Sequence, residues 1–379
     1  MKTYYFDNAA TSRAFKEVGE LLSKLMTDEF GNASSLHGLG VNAAKRVGDA
    51  KASILNLIGG DLFDVIFTSG GTEANNLAIL GSAPKNRRKC VVISSLEHSS
   101  VTESAAHVGL IGGEVRIVKP QPGGVVNPAD VLKAVDENCA IVSIVHVAGE
   151  LGTVQPVFEI AKAVKKKNPK TRVHIDAVQA AGSLPRLDYP DFVDMVTISA
   201  HKFHGPQGVG ALLVRPHISL KPMFFGGDQQ KGIRPGTLNM PAIAGMGLAA
   251  QITAKRRFES SVKTRLSADL FRDLILCEDG VRVLGSQEHR SPGIIIAAVA
   301  GTRSEVLLHT MEIEGVYASA GSACHSSRTN PSASYVDEGL RDDEGVIRFS
   351  IGDEYSNEEI EAAADIFIRS VKKVRVNRA

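Results

Sequence analysis

Val196-Thr-Ile-Ser-Ala-His-Lys-Phe-His-Gly-Pro-Gln-Gly-Val-Gly-Ala211 sets His201 and Lys202 between an apolar run and a glycine-rich turn. An amine forms a Schiff base with a carbonyl compound only after losing its proton, and a partly desolvated pocket beside other cations lowers its pKa. Alone, the segment also fits a solvated lysine at a strand end, which is the simpler reading. A second segment, Thr68-Ser-Gly-Gly-Thr-Glu-Ala-Asn-Asn-Leu-Ala78, passes from a strand pattern through Gly70 and Gly71 into a helix start. Its free backbone N–H groups lie beside the hydroxyls of Ser69 and Thr72, and such a turn cradles a phosphate. It lacks the Lys-Ser/Thr ending of a P-loop, and it also suits an ordinary strand-to-helix turn with a threonine cap.

His174-Ile-Asp-Ala-Val-Gln179 ends another strand with a carboxylate. Aimed at a heterocyclic nitrogen, Asp176 would keep it protonated and make the ring an electron sink. Gln179, one helical turn on, can donate to a ring hydroxyl. Asp176 suits a helix N-cap equally well. Lysine, hydroxyls and aspartate together call for one ligand with an aldehyde, a phosphate and a basic ring nitrogen, and pyridoxal phosphate has all three. Glu97-His98 follows the strand pattern at Val91 and brings an imidazole able to stack on a flat ring and shuttle protons.

Ala318-Ser-Ala-Gly-Ser-Ala-Cys-His-Ser-Ser-Arg-Thr-Asn-Pro331 surrounds Cys324 with small and polar residues, the pattern of an exposed, mobile loop. A thiol beside His325 and Arg328 is placed for a lowered pKa, and the thiolate is the nucleophilic form. Gly345-Val-Ile-Arg-Phe-Ser-Ile-Gly352 sets Arg348 inside an apolar strand pattern. A guanidinium there either binds a substrate carboxylate through two hydrogen bonds or closes an internal salt bridge. The polar, glycine-rich stretch from Gly226 to Asn239 suits a phosphate ligand or a subunit contact.

These residues need a scaffold, and the chain has material for one. With 379 residues, 43% of them hydrophobic, it is long enough for two domains with a sizeable core. Lys and Arg number 43 against 42 Asp and Glu, which implies no broad attraction to nucleic acid or membrane and favours a small partner or substrate. The start carries no signal-peptide pattern and no stretch approaches membrane-spanning length, so a cytoplasmic location is expected. Cys90, Cys139, Cys277 and Cys324 are far apart with no CxxC pair, which argues against a metal site and a disulfide framework. Cys90 and Cys139 begin apolar runs and are expected to be core residues.

Short β-branched runs beginning near Asp64, Val91, Ala140, Arg172, Met195 and Gly210 alternate with helical patterns. That layout predicts an α/β fold with a mostly parallel sheet and ligands at the strands' carboxyl ends. Past Pro241 come a long helical stretch, two further strand patterns and a final helix from Asn357. The expected division is a large domain over residues 15–255 and a smaller α+β domain over 256–379 joined by the arm 1–14.

The chain resembles the NifS/IscS-type cysteine desulfurases of the class V group of fold-type I pyridoxal-phosphate enzymes. The resemblance rests on Tyr5-Phe-Asp-Asn-Ala-Ala-Thr11, Phe30-Gly-Asn-Ala-Ser-Ser-Leu-His37, Phe67 to Ala78, Glu97-His98, Gly152-Thr-Val-Gln-Pro156, His174 to Gln179, Ser199-Ala-His-Lys202 and Ser319 to Cys324, in the family's order. It implies a homodimer in which Lys202 forms the Schiff base with pyridoxal phosphate, His98 stacks on the ring, Asp176 pairs with its nitrogen and Gln179 bonds its hydroxyl. The phosphate would rest on Gly71, Thr72, Ser199 and His201, with Thr237 supplied by the other subunit, and Arg348 would take the substrate carboxylate. The implied reaction turns L-cysteine into alanine, leaves the sulfur as a persulfide on Cys324 and passes it to an acceptor protein for iron–sulfur clusters or tRNA thiolation. A related enzyme acting on another amino acid, such as a selenocysteine lyase or aminotransferase, and a degenerate non-catalytic relative are the alternatives.

Three departures from the family pattern stand out. His146-Val-Ala-Gly-Glu150 replaces His-x-Asn-Asn-Glu, Pro235 stands where serine is usual, and Ser319-Ala320 replaces a more common Ser-Ser. The loss of the second asparagine, at Gly149, matters most, because it removes an amide from the expected substrate side of the cofactor.

Overall fold

The computed structural model describes residues 2–60, 62–82, 90–320 and 333–376. Its strands are β1 (Tyr4–Tyr5), β2 (Asp64–Thr68), β3 (Cys90–Ser94), β4 (Glu114–Val118), β5 (Cys139–Val145), β6 (Arg172–Asp176), β7 (Met195–Ser199), β8 (Gly210–Val214), β9 (Val281–Val283), β10 (Ile294–Ala300), β11 (Val316–Tyr317) and β12 (Glu344–Ser350). The helices are α1 (Lys16–Thr27), α2 (Gly38–Ile58), α3 (Gly71–Ser82), α4 (Ser99–Leu110), α5 (Pro128–Ala134), α6 (Val157–Lys167), α7 (Ala180–Ser183), α8 (Met240–Ile275), α9 (Ser304–Ile313), α10 (Ala333–Asp337) and α11 (Asn357–Val376).

Seven strands form one sheet in the order β2-β8-β7-β6-β5-β3-β4. Only β8 runs against its neighbours, so the sheet is mostly parallel, as the alternation of strand and helix patterns predicts. Because side chains alternate along a strand, each β-branched run feeds two cores. Ile66, Val91 and Ile93 pack with Leu77 of α3 and Val101 and Ala105 of α4. Val65, Phe67 and Val92 face the other way, toward Ile54 and Leu57 of α2, Ile160 of α6 and Met246 of α8. Both faces are therefore covered, which is why these runs are continuously apolar. Cys90 and Cys139 are buried in this core, as expected. The edge strand β4 escapes a search for apolar runs because Glu114 and Arg116 interrupt it and Ile117 is exposed.

A second, three-stranded antiparallel sheet has the order β12-β10-β9. The chain's beginning joins it: β1 pairs in parallel with β11, and Asp7 bridges to Ser350. Phe6 is fully buried there, edge-on to Phe271 at 5.4 Å between ring centroids. Burying a phenylalanine is worth about 1.5–3 kcal/mol, so this ring anchors the arm. The helix α8 serves both cores, with Ala249 and Ala250 in the first and Ala268, Phe271 and Ile275 in the second.

Candidate active site

The carboxyl ends of β3, β5, β6 and β7 open on one cavity of about 300 Å³, closed on the far side by the N-terminal arm and by Arg348 of β12. β2 runs in the same direction as β7, so the Gly70-Gly71 turn and the start of α3 reach the same edge. Loops after parallel strands are where an α/β sheet leaves room for a ligand.

Lys202 ends a short 3-10 turn, Ala200–Lys202, directly after β7. Its ammonium donates to the carbonyls of Ala9 and Ala10, the latter at 3.0 Å. The arm is strapped to the same turn, since Ser12 donates to the His201 carbonyl through its N–H at 2.9 Å and its hydroxyl at 2.8 Å. Gln179 donates to the Ala9 carbonyl as well, at 2.7 Å. Thus the segment Ala9-Ala10, more than 190 positions from the lysine in sequence, forms its immediate surroundings.

Asp176, the last residue of β6, is buried with both oxygens engaged. Oδ2 accepts the Asn75 amide at 2.7 Å and Oδ1 the Val178 N–H at 3.0 Å. Asn75 comes from the second turn of α3 and also donates to Ser100 Oγ at 2.9 Å, while its Oδ1 is buried with no hydrogen-bond partner among the described residues. These two donors fix the orientation of the buried carboxylate. His98 caps the N-terminus of α4: its Nδ1 accepts the Ser100 N–H at 3.1 Å, which puts the proton of the neutral ring on Nε2 and sets the ring plane. Within β6, burial pushes His174 down to about 3, and its two nitrogens meet Ser143 Oγ at 2.8 Å and Thr197 Oγ1 at 2.9 Å. Burial likewise holds His146 at about 4, against Tyr189 OH at 2.8 Å.

At the glycine turn a Cβ on Gly71 would lie 2.9 Å from Val178 Cγ2, so only glycine lets the α3 terminus approach β6 this closely. Glu73 accepts the Ser69 N–H at 2.7 Å and Arg234 Nε at 2.8 Å. Burial alone would raise its carboxyl, but Arg234 and Ser69 together hold it below the usual range. His201 is pushed down to about 4, first by burial and then by the Lys202 charge, so at neutral pH it is a neutral ring. The loop that bears Arg234 is tied to the sheet edge by Gln230, whose amide exchanges hydrogen bonds of 2.7 and 2.9 Å with the backbone of Phe67.

Arg348 is 4% exposed and lines the cavity. It donates to the Gly149 carbonyl at 3.0 Å and to Asp7 Oδ1 at 3.1 Å, while its Nε has no partner among the described residues. The internal ion pair considered for this residue therefore exists, on the wall of the same cavity. Burial raises the Asp7 carboxyl above its ordinary value despite the opposing pull of Arg348. Gly149 keeps an ordinary backbone conformation, and a Cβ there would stand 3.5 Å from Gln179 Nε2 and 3.7 Å from its Cγ, normal contact distances. Gly149→Asn is accordingly expected to melt within about 2 °C of the wild type and, by adding one hydrogen-bonding group, to lower KM for L-cysteine, the substrate the family resemblance implies, roughly two- to tenfold. Thermal unfolding and steady-state kinetics check both parts, and an unchanged KM would remove position 149 from the substrate side.

Of the residues singled out from sequence, Gly71, Thr72, His98, Asp176, Gln179, Ser199, His201, Lys202 and Arg348 all line this cavity. Thr237 is exposed and does not line it. Cys324 lies outside the described residues. Sequence reasoning assigned no role to Asn75, Glu97, Asp7 or the Ala9 and Ala10 carbonyls. Asn75 and Glu97 do sit inside quoted motifs, and Asn75, three residues after Thr72, was within reach of a helix-face argument. Nothing local marks the carbonyls. Among the described residues there is no cluster of His, Cys, Asp and Glu able to hold a metal, and no helix long and apolar enough to cross a membrane.

A lysine after β7, an aspartate ending β6, a histidine after β3 and a glycine turn before α3, all on one sheet edge, define an enzyme of the fold-type I class. The class-V aminotransferase family model matches residues 4–363. The chain is 35% identical to cysteine desulfurase IscS 1 of Archaeoglobus fulgidus over 376 residues, covering 98% of this chain and 97% of that protein. A NifS-like protein of known structure superposes with a TM-score of 0.91 at 28% identity, covering 98% of this chain and all of the other. The structure of SspA in complex with cysteine matches with a TM-score of 0.80 at 29% identity, over 92% of this chain and 99% of that one. The chain belongs to the class-V aminotransferase family, in its NifS/IscS-type cysteine desulfurase group.

Proposed function

We propose that this protein binds pyridoxal phosphate in the cavity at the carboxyl edge of the large sheet and there converts L-cysteine to L-alanine, carrying the sulfur away on Cys324. The observation that carries this reading is the convergence of Lys202, Asp176, His98 and the α3 terminus on one cavity. The residues present fit the cofactor. A carboxylate held by two donors suits a ring nitrogen, a helix of 12 residues begins at the glycine turn, and Asn75 Oδ1 and Arg348 Nε are buried polar atoms with no partner among the described residues. Thr72, Ser199 and His201, with the N–H groups of the turn, would hold the phosphate.

Pyridoxal phosphate, when bound, supplies an aldehyde for an amine and a protonated ring that draws electrons from bonds at the substrate's α-carbon. The chain does the rest. Asp176 keeps the proton on the ring nitrogen, and His98 supplies a flat wall. Arg348 presents a guanidinium to the substrate carboxylate, at the expense of its bonds to Asp7 and Gly149. Lys202, once its amine is neutral, takes the proton from the α-carbon. The Cys324 thiolate attacks the substrate sulfur. An S–S bond forms as the C–S bond breaks, the electron pair stays with the carbon, and a proton completes alanine. The flanks of the cysteine segment support this assignment: the backbone of Ser319 exchanges hydrogen bonds with that of Arg348, and Tyr335 OH donates to the Glu150 carbonyl. Both contacts lie at the cavity wall.

We also assign residues 15–255 to a large cofactor domain and 256–379 with 1–14 to a small one. A homodimer would cover the exposed Phe30, Leu36, Phe224 and Phe225 and bring Thr237 to the partner's cavity. An acceptor protein then takes the sulfur. The deciding experiment is incubation with pyridoxal phosphate and L-cysteine, with alanine quantified and the Cys324 peptide weighed. Wild type should gain one sulfur on that peptide. Cys324→Ser should lose at least about a hundredfold in sulfur transfer to a thiol acceptor, as expected for removal of a nucleophile. Transfer undiminished in Cys324→Ser, or alanine without persulfide, would overturn the assignment.

A further inference from the structure

Glu97 borders the cavity and takes no part in the chemistry just described. Its Oε1 accepts the Ser94 hydroxyl at 2.5 Å and the Val145 N–H at 2.9 Å, so one oxygen joins the carboxyl ends of β3 and β5. Oε2 is buried without a hydrogen-bond partner among the described residues. Val145 pairs in register with Asp176, which places a second carboxyl on the adjoining strand. His98 is the next residue along the chain.

We propose that Glu97 is a positioning residue that works as a neutral acid, locking the ends of β3 and β5 so that His98 and Asp176 keep their places and, of the Glu97–Asp176 pair, Asp176 carries the negative charge. This rests on the cavity being a pyridoxal-phosphate site. An ionised Glu97 would leave Oε2 a buried oxyanion with no donor among the described residues, in a cavity that already holds a second carboxylate, which a buried acid avoids by keeping its proton. Burial, against the pull of Ser94 and Val145 and with the help of Asp176, pushes this carboxyl up to about 8. The charged or titratable groups sharing the cavity are Asp176 on β6, His201 and Lys202 after β7, Glu150 after β5, Arg348 on β12 and His98 on the same turn. Two carboxyls whose surroundings pull them apart divide the labour of charge and proton.

In the unfolded chain this acid ionises near 4.5 and in the folded protein near 8. Its contribution to stability is therefore complete below about pH 4.5 and is lost as pH rises through about 8. Glutamine keeps the Oε1 acceptor and has no proton to lose. The test compares wild type, Glu97→Gln and Glu97→Ala by thermal unfolding of the cofactor-free full chain from about pH 5 to about pH 9, and by absorption titration with pyridoxal phosphate near pH 7. Relative to wild type, the melting temperature of Glu97→Gln should rise by several degrees across that range. Glu97→Gln should bind the cofactor within about threefold of wild type and Glu97→Ala at least about tenfold more weakly. A difference between Glu97→Gln and wild type that stays constant with pH, or a Glu97→Gln affinity as poor as that of Glu97→Ala, would overturn the proposal. Should the wild type bind no pyridoxal phosphate, the reading of the cavity fails, and the melting comparison still decides the state of Glu97.

Discussion

Lys202→Ala is expected to lower alanine formation from L-cysteine by about a thousandfold, the middle of the range for losing a positioned acid–base group. It should also abolish borohydride-stable attachment of the cofactor to the chain, which mass measurement of the reduced protein detects. Added pyridoxal phosphate should still bind, because Asp176 and the glycine turn remain. The same substitution has a structural consequence. Lys202 donates to the carbonyls of Ala9 and Ala10, so its removal takes away the donor to Ala10 and leaves Ala9 to Gln179 alone, and the cofactor-free protein should melt lower by a few degrees. Activity of Lys202→Ala within tenfold of wild type would sink the assignment of this amine, whatever the melting point.

Asp176→Ala is expected to act on cofactor binding. The carboxylate accepts from Asn75 and Val178 in a buried place, and hydrogen bonds to a charged group are worth about 1.5–3 kcal/mol each. Losing the charge opposite a ring nitrogen should weaken pyridoxal phosphate binding by about a hundredfold, roughly 3 kcal/mol. Asp176→Asn separates charge from shape. It keeps an acceptor for the Val178 N–H, so its melting point should lie nearer the wild type than that of Asp176→Ala, while its cofactor affinity falls nearly as far. An asparagine variant with wild-type affinity would show that the charge at this position is idle.

Much of this site is legible in the amino-acid sequence. Local chemistry marks each segment: an apolar run followed by glycine for Lys202, a strand ended by a carboxylate for Asp176, paired glycines before a helix for Thr72. Those patterns rest on short-range rules of strands, turns and caps. Gly149 is visible in the same way, as a missing amide, though only the contact distances to Gln179 show that a side chain would fit there. Arg348 can be read two ways, and the fold satisfies the ion-pair reading by bringing Asp7 to it. Glu97 stands beside a residue of interest without a reason of its own, because its meaning lies in Val145, 48 positions away.

By itself the sequence determined the α/β class, the mostly parallel sheet, the family, and a group of polar residues that the fold brings to one cavity. Only the tertiary structure decided what surrounds those residues: the Ala9 and Ala10 carbonyls on Lys202, Asn75 on Asp176, Asp7 and Gly149 on Arg348, and Glu97 across two strands. The physical reason is one of range. Propensity, alternation and turn chemistry act over a few residues, whereas these contacts join segments from 48 to 341 positions apart. They exist because sheet and helices pack in one particular way.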